Sequence, residues 1–321
     1  MRTLDEILAD RVVQTLNPKG KQFLKPHTLS NRLNPFPIEI TALVVEGFPN
    51  LKSVPAFEML MGDYRAGLFD GKDILVVPSS GNTAYAIARL APAFGFKRVV
   101  VILSTDVPPL KRGILAALSS VTIVETPRNT MEEAHEIAQS FGPGVHLLDQ
   151  YSHESNRRSH ELYTGPEVLR AMGGSVDIVM VALGSAGTAM GVASFLKKHN
   201  PETRVLGSQP AVGEQAPGTR DPKKIGVVPF DWRAMIDDVV LGTRKGAFVR
   251  MRQLWSEVEP IQGPSSGLSL DCLLRYLSGF STEELAALKG AKAAIVCHDG
   301  GLLYPDYTTG ELDTHEGIGS F

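Results

Sequence analysis

Short apolar runs alternate with helical periods along this chain, and the alternation restricts the possible folds more than any other feature. Strand-like runs are predicted at Ile74–Val77, Arg98–Leu103, Val121–Glu125, Val145–Leu148, Ile178–Leu183, Arg204–Ser208 and Ala293–Cys297. Helical patterns are predicted at Ala56–Ala66, Thr83–Phe94, Leu110–Leu118, Met131–Phe141, His160–Ala171, Gly187–His199, Lys245–Glu257, Leu268–Tyr276 and Thr282–Leu288. Continuous apolar strands separated by helices predict an α/β fold whose parallel sheets are covered by helices on both faces.

Two changes in composition suggest domain edges within the 321 residues. One is the Pro/Asn-rich segment Asn34–Pro37, and the other is the polar segment Ser152–Arg158. A chain of this length forms one large domain or two medium ones. With two α/β blocks, we expect the ligand site in the cleft between them.

Charge and composition exclude several classes of partner. The net charge of −3 gives no reason to expect nucleic acid or an anionic membrane. No run of about 18 apolar residues occurs, and the first residues lack the apolar core of a signal peptide, so we expect a cytoplasmic protein. Cys272 and Cys297 are the only cysteines, and we expect both to be buried, reduced thiols.

A strand pattern runs directly into a helical pattern at Ser79-Ser80-Gly81-Asn82-Thr83. Backbone N–H groups and three hydroxyls would converge there at the positive end of a helix dipole, which favours an anion. The alternative is an ordinary βα turn that Ser and Asn cap. The segment alone does not separate the two interpretations.

A second loop of this kind follows the strand Ile178–Leu183. It comprises Gly184-Ser185-Ala186-Gly187-Thr188 and continues to Gly191, and its glycines and hydroxyls suit a phosphate. It is not a Walker loop, because no Gly-Lys-Ser/Thr follows, and its glycines lack the dinucleotide spacing. The next strand ends at Gly207-Ser208-Gln209, where a dinucleotide site would have an Asp or Glu to bind the ribose. The sequence therefore argues against a dinucleotide. Glycine for packing alone is the alternative interpretation.

A phosphate site beside a carboxylate-sized site suggests a phosphorylated cofactor that acts on an amino acid. From about Val45 to Tyr304 the chain resembles the cysteine synthase and cystathionine β-synthase branch of the pyridoxal-phosphate fold type II enzymes, which includes O-acetylserine sulfhydrylase. Four ordered motifs carry the resemblance: Ser79–Thr83, Asn156–Glu167, Gly184–Gly191 and Gly263–Gly267.

The resemblance implies two open, mostly parallel twisted sheets flanked by helices, as in the tryptophan synthase β-subunit, with the cofactor in the interdomain cleft. It implies a smaller, mobile domain of residues 47–152, which carries the carboxylate loop. A larger domain, residues 1–46 plus 153–321, would carry the phosphate loop. The resemblance also implies a homodimer.

Site residues follow from the same resemblance, position by position. Lys52 matches the Schiff-base lysine and proton carrier at Cα, Asn82 the partner of the cofactor's ring hydroxyl, and Ser265 the partner of its ring nitrogen. The phosphate loop matches Gly184, Ser185, Ala186, Gly187 and Thr188. The substrate-binding positions match Ser79, Ser80, Gly81, Thr83, Gln150 and Tyr151. Arg220 lies in the segment that faces the substrate in this family, where its cation could read the phosphate of O-phosphoserine; a surface arginine is the alternative interpretation.

Two departures from the family pattern stand out. The family's Asp-Arg pair after the lysine is absent, because Lys52 is followed by Ser53-Val54. The tail through Phe321 is an addition. His153 and His160 lack the cluster of partners that a metal needs, so no metal site is expected and each histidine is interpreted as structural or exposed.

The implied activity is β-replacement on a serine-derived amino acid, either O-acetylserine or O-phosphoserine. An aminoacrylate intermediate would take up sulfide or another small nucleophile to give cysteine or a related amino acid. The alternatives are a pyridoxal-phosphate-dependent β-eliminase like serine/threonine dehydratase, and a homologue that binds the cofactor without catalysis. A nucleotide-binding oxidoreductase is a third class, which predicts nicotinamide binding.

Overall fold

The computed structural model describes residues 2–79, 81–105, 107, 109–127, 130–301 and 304. These residues contain ten strands: β1 Leu24–Thr28, β2 Glu39–Val45, β3 Ile74–Pro78, β4 Arg98–Ser104, β5 Val121–Thr126, β6 Val145–Leu147, β7 Ile178–Ala182, β8 Arg204–Pro210, β9 Asp238–Gly242 and β10 Lys292–Val296.

The α-helices of the described residues are α1 Leu4–Leu8, α2 Arg11–Leu16, α3 Ser53–Arg65, α4 Asn82–Leu90, α5 Pro109–Ala116, α6 Met131–Ser140, α7 Glu154–Ser159, α8 Gly165–Ala171, α9 Gly187–His199, α10 Arg244–Leu254, α11 Pro264–Ser278 and α12 Thr282–Ala287. A π-helical turn, His160–Thr164, connects α7 to α8. Short 3₁₀ turns in the described part of the chain lie at Ala91–Phe94, Lys224–Val227 and Arg233–Met235.

The described chain divides into two compact units. One comprises residues up to 21 together with 47–159, and the other comprises residues 22–46 together with those from 160 onward. The segment Ser152–Arg158, interpreted as a domain edge, largely forms helix α7 at the end of the first unit. The assignment of 47–152 to a smaller, mobile domain stays a prediction.

The first unit is built on a four-stranded sheet in the order β5-β4-β3-β6, and all three of its strand pairs are parallel. Val76, Val100 and Ile102 are buried on one face of this sheet against Ala134 and Ala138 of α6. Because β3 is central and leads into α4, the Ser79–Thr83 loop emerges at the carboxyl end of a buried strand.

The second unit is built on a six-stranded sheet in the order β1-β2-β10-β7-β8-β9. Only β1 and β2 pair antiparallel, and the other four pairs are parallel. Helix α11 is buried along most of its length, and its leucines join the core with residues of β2, β7 and β10. The predicted α/β class with mostly parallel sheets is confirmed.

All seven predicted strands are present, and each predicted helical pattern contains a helix. Three strands were missed. Strands β1 and β9 lie at the two edges of the larger sheet. Strand β1 is mostly exposed and has no apolar run, and the apolar run of β9 is only three residues long, Val239–Leu241. Strand β2 follows the segment that was interpreted as a domain edge.

Both cysteines are free and buried, as expected. Desolvation by burial raises the pKa of each thiol to about 12, so neither is a ready nucleophile. Across the described residues, no helix combines the length and apolar character needed to cross a membrane. No group of three or more His, Cys, Asp or Glu in the same residues could hold a metal ion.

Candidate active site

Lys52 is the residue immediately before helix α3 in the first unit, and it is half-buried. Its backbone N–H donates to Asn50 Oδ1 at 3.0 Å, which fixes the turn that starts the helix. Ser53 occupies the place of the family's aspartate. Its side chain is fully buried, and its hydroxyl has no hydrogen-bond partner among the described residues. A buried, unsatisfied hydroxyl beside the lysine is a polar group that a ligand can pair with.

The Ser79–Thr83 loop connects β3 to α4, and Ser80 lies outside the described residues. Ser79 Oγ accepts hydrogen bonds from the backbone N–H groups of Ala84, at 3.2 Å, and Gly81, at 3.4 Å. Gly81 has φ +142°, a conformation that residues with a side chain rarely adopt. Asn82 is the first residue of α4 and is half-buried. Ser79 therefore acts as a cap of the helix, while the loop presents Asn82 and Thr83 at the helix start.

Two of the predicted substrate residues meet in the first unit. The Thr83 hydroxyl donates to Gln150 Oε1 at 2.7 Å, and both side chains are buried. Asn156 Nδ2 donates to the Gln150 backbone carbonyl at 2.6 Å. The Gln150 amide nitrogen makes no hydrogen bond to the described residues, so it is available to donate to a carboxylate. Tyr151 is next in sequence and half-buried, and its N–H donates to Asp149 Oδ1 at 2.9 Å.

A buried carboxylate between two histidines holds the same region together. Asp63 of α3 accepts from His146 Nε2 of β6 at 2.8 Å and from His153 Nε2 at 2.9 Å. The Ser155 N–H donates to His153 Nδ1, so the ring proton of His153 lies on the side facing Asp63. Burial raises the pKa of Asp63, but the hydrogen bonds from the two histidines lower it by more, to about 2.

The Asp63 cluster joins the helix that follows Lys52 to the segment that carries Gln150. Sequence analysis missed it, because Asp63 is 83 residues from His146 and 90 from His153 along the chain. An isolated histidine carries no signal for such a distant partner.

The predicted phosphate loop of the second unit connects β7 to α9. Ala186 precedes α9 with φ +59° and makes no side-chain hydrogen bond to the helix start, where the amides of the first turn favour an anion. A Cβ added to Gly184 would lie 2.8 Å from the Gly218 carbonyl oxygen, so only glycine fits there. Ser185 and Thr188 are buried at the same turn. This set of amides and hydroxyls fits a phosphate group.

Two buried threonines flank His160, which sequence analysis left without a role. Its Nε2 lies 3.1 Å from Thr188 Oγ1, and its Nδ1 lies 2.8 Å from Thr164 Oγ1. His160 and Thr164 are fully buried, and Thr188 is 3% exposed. The histidine belongs to the Asn156–Glu167 motif, which was the available signal, but its partner Thr188 lies on another motif.

Ser265 is the second residue of α11 and is buried. Its hydroxyl donates to Asp299 Oδ1 at 3.3 Å, and the Tyr304 hydroxyl donates to Asp299 Oδ2. Gly218 packs against this group, because a Cβ added to it would lie 3.9 Å from Ser265 Cβ and 4.0 Å from the Tyr304 hydroxyl. Gly218 also contacts Gly184, so within the second unit the structure brings Ser265 into the neighbourhood of the phosphate loop.

Arg220 lies near the same loop by its backbone. Its N–H donates to the Leu183 carbonyl at 2.9 Å, one residue before Gly184. Its guanidinium donates to the Lys224 carbonyl at 3.3 Å. The structure thus holds the Arg220 backbone beside the end of β7, while one side-chain nitrogen is engaged within its own segment.

Comparison with protein families gives a match over most of the chain. Residues 51–296 match the model described as "Pyridoxal-phosphate dependent enzyme". Cysteine synthase B of Pseudomonas aeruginosa is 31% identical over 248 residues, which are 74% of this chain and 80% of the relative. Cysteine synthase B of Escherichia coli K12 is 26% identical over 273 residues, covering 84% and 87% of the two chains.

Solved structures agree on the fold. An O-ureido-L-serine synthase superposes with a TM-score of 0.78 at 22% identity and covers 96% of both chains. A hydrogen sulfide-producing enzyme from Fusobacterium nucleatum gives a TM-score of 0.80 at 21% identity, covering 92% of this chain and 100% of that one. At this level of identity the likeness establishes the architecture.

Proposed function

Because this chain belongs to the pyridoxal-phosphate dependent enzyme family, we propose that it replaces the β-substituent of a serine-derived amino acid with a small nucleophile. It is a pyridoxal-phosphate-dependent enzyme of the cysteine synthase and cystathionine β-synthase type. The finer proposal is that O-acetylserine or O-phosphoserine is the substrate. Sulfide, or another small nucleophile, would then give cysteine or a related amino acid.

The observation that carries the proposal is the similarity to cysteine synthase B over 74% of the chain. The hydrogen bond between Thr83 and Gln150 supports it from the structure. Because Thr83 donates to the Gln150 oxygen, the Gln150 amide nitrogen can donate to a substrate α-carboxylate at the start of α4. The positive end of that helix favours the same negative charge.

Five positions would hold the cofactor's phosphate: Gly184, Ser185, Ala186, Gly187 and Thr188. Lys52 would hold it covalently through the side-chain amine, Asn82 would bond its ring hydroxyl, and Ser265 would contact its ring nitrogen. When bound, pyridoxal phosphate supplies an electron sink that stabilises negative charge at the substrate Cα.

Lys52 is the proposed proton carrier of the reaction. Its neutral amine removes the proton from the substrate Cα as the β-substituent leaves, and its ammonium returns a proton to Cα after the nucleophile has added. The substrate would be bound and oriented by Ser79, Ser80, Gly81 and Thr83, together with Gln150 and Tyr151. Water must be excluded during this interval, because elimination without capture gives pyruvate.

The test is product analysis on the purified holoenzyme. O-acetylserine, O-phosphoserine and serine are supplied separately, each with and without sulfide, and cysteine and pyruvate are measured. We expect cysteine from at least one activated serine when sulfide is present. Pyruvate without cysteine under all conditions would identify a β-eliminase, and the absence of both products would indicate a homologue that binds the cofactor without catalysis. Either result would contradict the proposal with sulfide as the nucleophile.

Arg220 offers a test of the leaving group within the same assay. If its guanidinium reads a substrate phosphate, Arg220→Ala lowers turnover of O-phosphoserine more than that of O-acetylserine. Equal losses with both substrates would remove that role. The homodimer and the cytoplasmic location expected from the sequence remain part of the proposal, and sedimentation of the purified protein tests the first.

A further inference from the structure

We propose that His160 is a positioning residue that turns the Thr188 hydroxyl into a hydrogen-bond donor for the cofactor's phosphate. This inference rests on the proposed function, because it takes the Gly184–Thr188 loop as the phosphate site. It gives a role to His160, a residue of the Asn156–Glu167 motif to which the resemblance assigned none. It also assigns a proton, which can be observed directly.

The His160 side chain lies between two threonine hydroxyls. Nδ1 is 2.8 Å from Thr164 Oγ1, and Nε2 is 3.1 Å from Thr188 Oγ1. Both hydroxyls are buried, and neither has another hydrogen-bond partner among the described residues. His160 and Thr164 stand at the two ends of the π-helical turn, a geometry that is rare and concentrated at functional sites.

The fully buried Thr164 hydroxyl decides where the ring proton lies. A hydroxyl has one proton to donate, and leaving it without an acceptor in the interior costs a hydrogen bond. His160 Nδ1 is its one acceptor in the described chain, so Nδ1 must be unprotonated. A neutral imidazole carries its proton on the other nitrogen, so the proton is on Nε2.

This proton sets the direction of the next hydrogen bond. Nε2–H donates to Thr188 Oγ1, which therefore acts as an acceptor toward His160. The proton of the Thr188 hydroxyl remains for a partner on the side of the loop, in the first turn of α9. A phosphate has only acceptor oxygens at this position, so a hydroxyl fixed as a donor suits it. In the reverse tautomer Nε2 would be unprotonated, so the Thr188 hydroxyl would donate to the histidine and have no proton left for the phosphate.

The first test observes the tautomer. In holoenzyme with ¹⁵N-labelled histidine, we expect His160 to show a protonated Nε2 and an unprotonated Nδ1. A protonated Nδ1 would overturn the proposal. The His160 signal is identified by its absence from His160→Gln, or by its change in Thr164→Val if the first variant does not fold.

The second test uses Thr164, which contacts His160 and not the phosphate loop. Thr164→Val keeps the side-chain shape and removes the hydroxyl, while Thr164→Ser keeps the hydroxyl and serves as the matched control. Dissociation constants of each apoprotein are measured for pyridoxal phosphate and for pyridoxal, which lacks the phosphate. Loss of one oriented hydrogen bond to a charged group corresponds to about tenfold in affinity.

We expect Thr164→Val to weaken the binding of pyridoxal phosphate about tenfold and to leave the binding of pyridoxal unchanged. Thr164→Ser should bind both ligands as the wild type does. If Thr164→Val weakened the binding of both ligands equally, its role would be merely structural and the proposal would be overturned. Unchanged dissociation constants for both ligands would overturn it as well. If the wild type itself did not prefer pyridoxal phosphate over pyridoxal, the phosphate loop would be misassigned, and the failure would belong to the proposed function.

Discussion

In the candidate site, buried neighbours determine whether a single hydroxyl donates or accepts a hydrogen bond. The Thr83 hydroxyl donates a hydrogen bond to Gln150, and the Ser265 hydroxyl donates one to Asp299. A buried hydroxyl has only one proton, so each of these contacts determines whether the group donates to a ligand or accepts from it. The chemistry of the site therefore depends on positions outside the family's motif residues, such as Asp299.

Asp63 provides a prediction at this scale. Its pKa is 3.8 ordinarily and about 2 in the folded chain, so its ionised form stabilises the fold at pH values above 3.8 by about 2 kcal/mol. A lowered folded pKa means that this contribution is lost as the pH falls through the folded value. Asp63→Asn should lower the free energy of unfolding at neutral pH by about 2 kcal/mol, as measured by urea denaturation.

The difference in the free energy of unfolding between Asp63→Asn and the wild type should shrink as the pH falls from 3.8 to about 2. Asp70→Asn is the control, because Asp70 is exposed in the same unit. A difference that stays constant over this pH range would show that the carboxylate charge does not stabilise the histidine cluster.

Helices α10 and α11 illustrate how an element is fixed by one residue. A Cβ added to Gly267 of α11 would lie 2.0 Å from the Ala247 carbonyl oxygen and 2.6 Å from the Met251 nitrogen. Both atoms belong to the backbone of α10 and cannot move aside alone. The glycine thus sets the distance between the two helices, and α11 carries Ser265 at its start.

Gly267→Ala should therefore lower the free energy of unfolding by about 3 kcal/mol, at the upper end of the usual cost of overpacking. Gly113→Ala is the matched control, because Gly113 lies in α5 and a Cβ there has nothing within 4 Å. We expect the control to gain about 0.5 to 1 kcal/mol from helix propensity. Equal stabilities of the two variants in urea denaturation would refute the close approach of α10 and α11.

The elements themselves were largely predictable, since their signals are local. Apolar runs gave β3, β4, β5, β6, β7, β8 and β10, and glycines at the end of β7 indicated the loop before α9. The contacts were not predictable in this way. Thr83 and Gln150 are 67 residues apart, and His160 and Thr188 are 28 apart, so their pairing depends on how the sheets are assembled.

At the scale of the whole molecule, the family assignment covers residues 51–296, which include both units of the fold in large part. The resemblance seen in the sequence is confirmed at this scale, together with the fold class and the cofactor. The residues before 51 form α1, α2, β1 and β2, and β1 and β2 extend the larger sheet beyond β10. The tail after Tyr304, which departs from the family pattern, lies outside the described residues.

The most direct measurement of the central claim is to reduce the holoenzyme with borohydride and locate the attached cofactor by peptide mass spectrometry. We predict that the reduced pyridoxal phosphate is found on Lys52, and that adding O-acetylserine before the borohydride removes it from Lys52, because the amino acid takes the place of the lysine amine. A label on a different lysine, or a label on Lys52 that no activated serine displaces, would contradict the account.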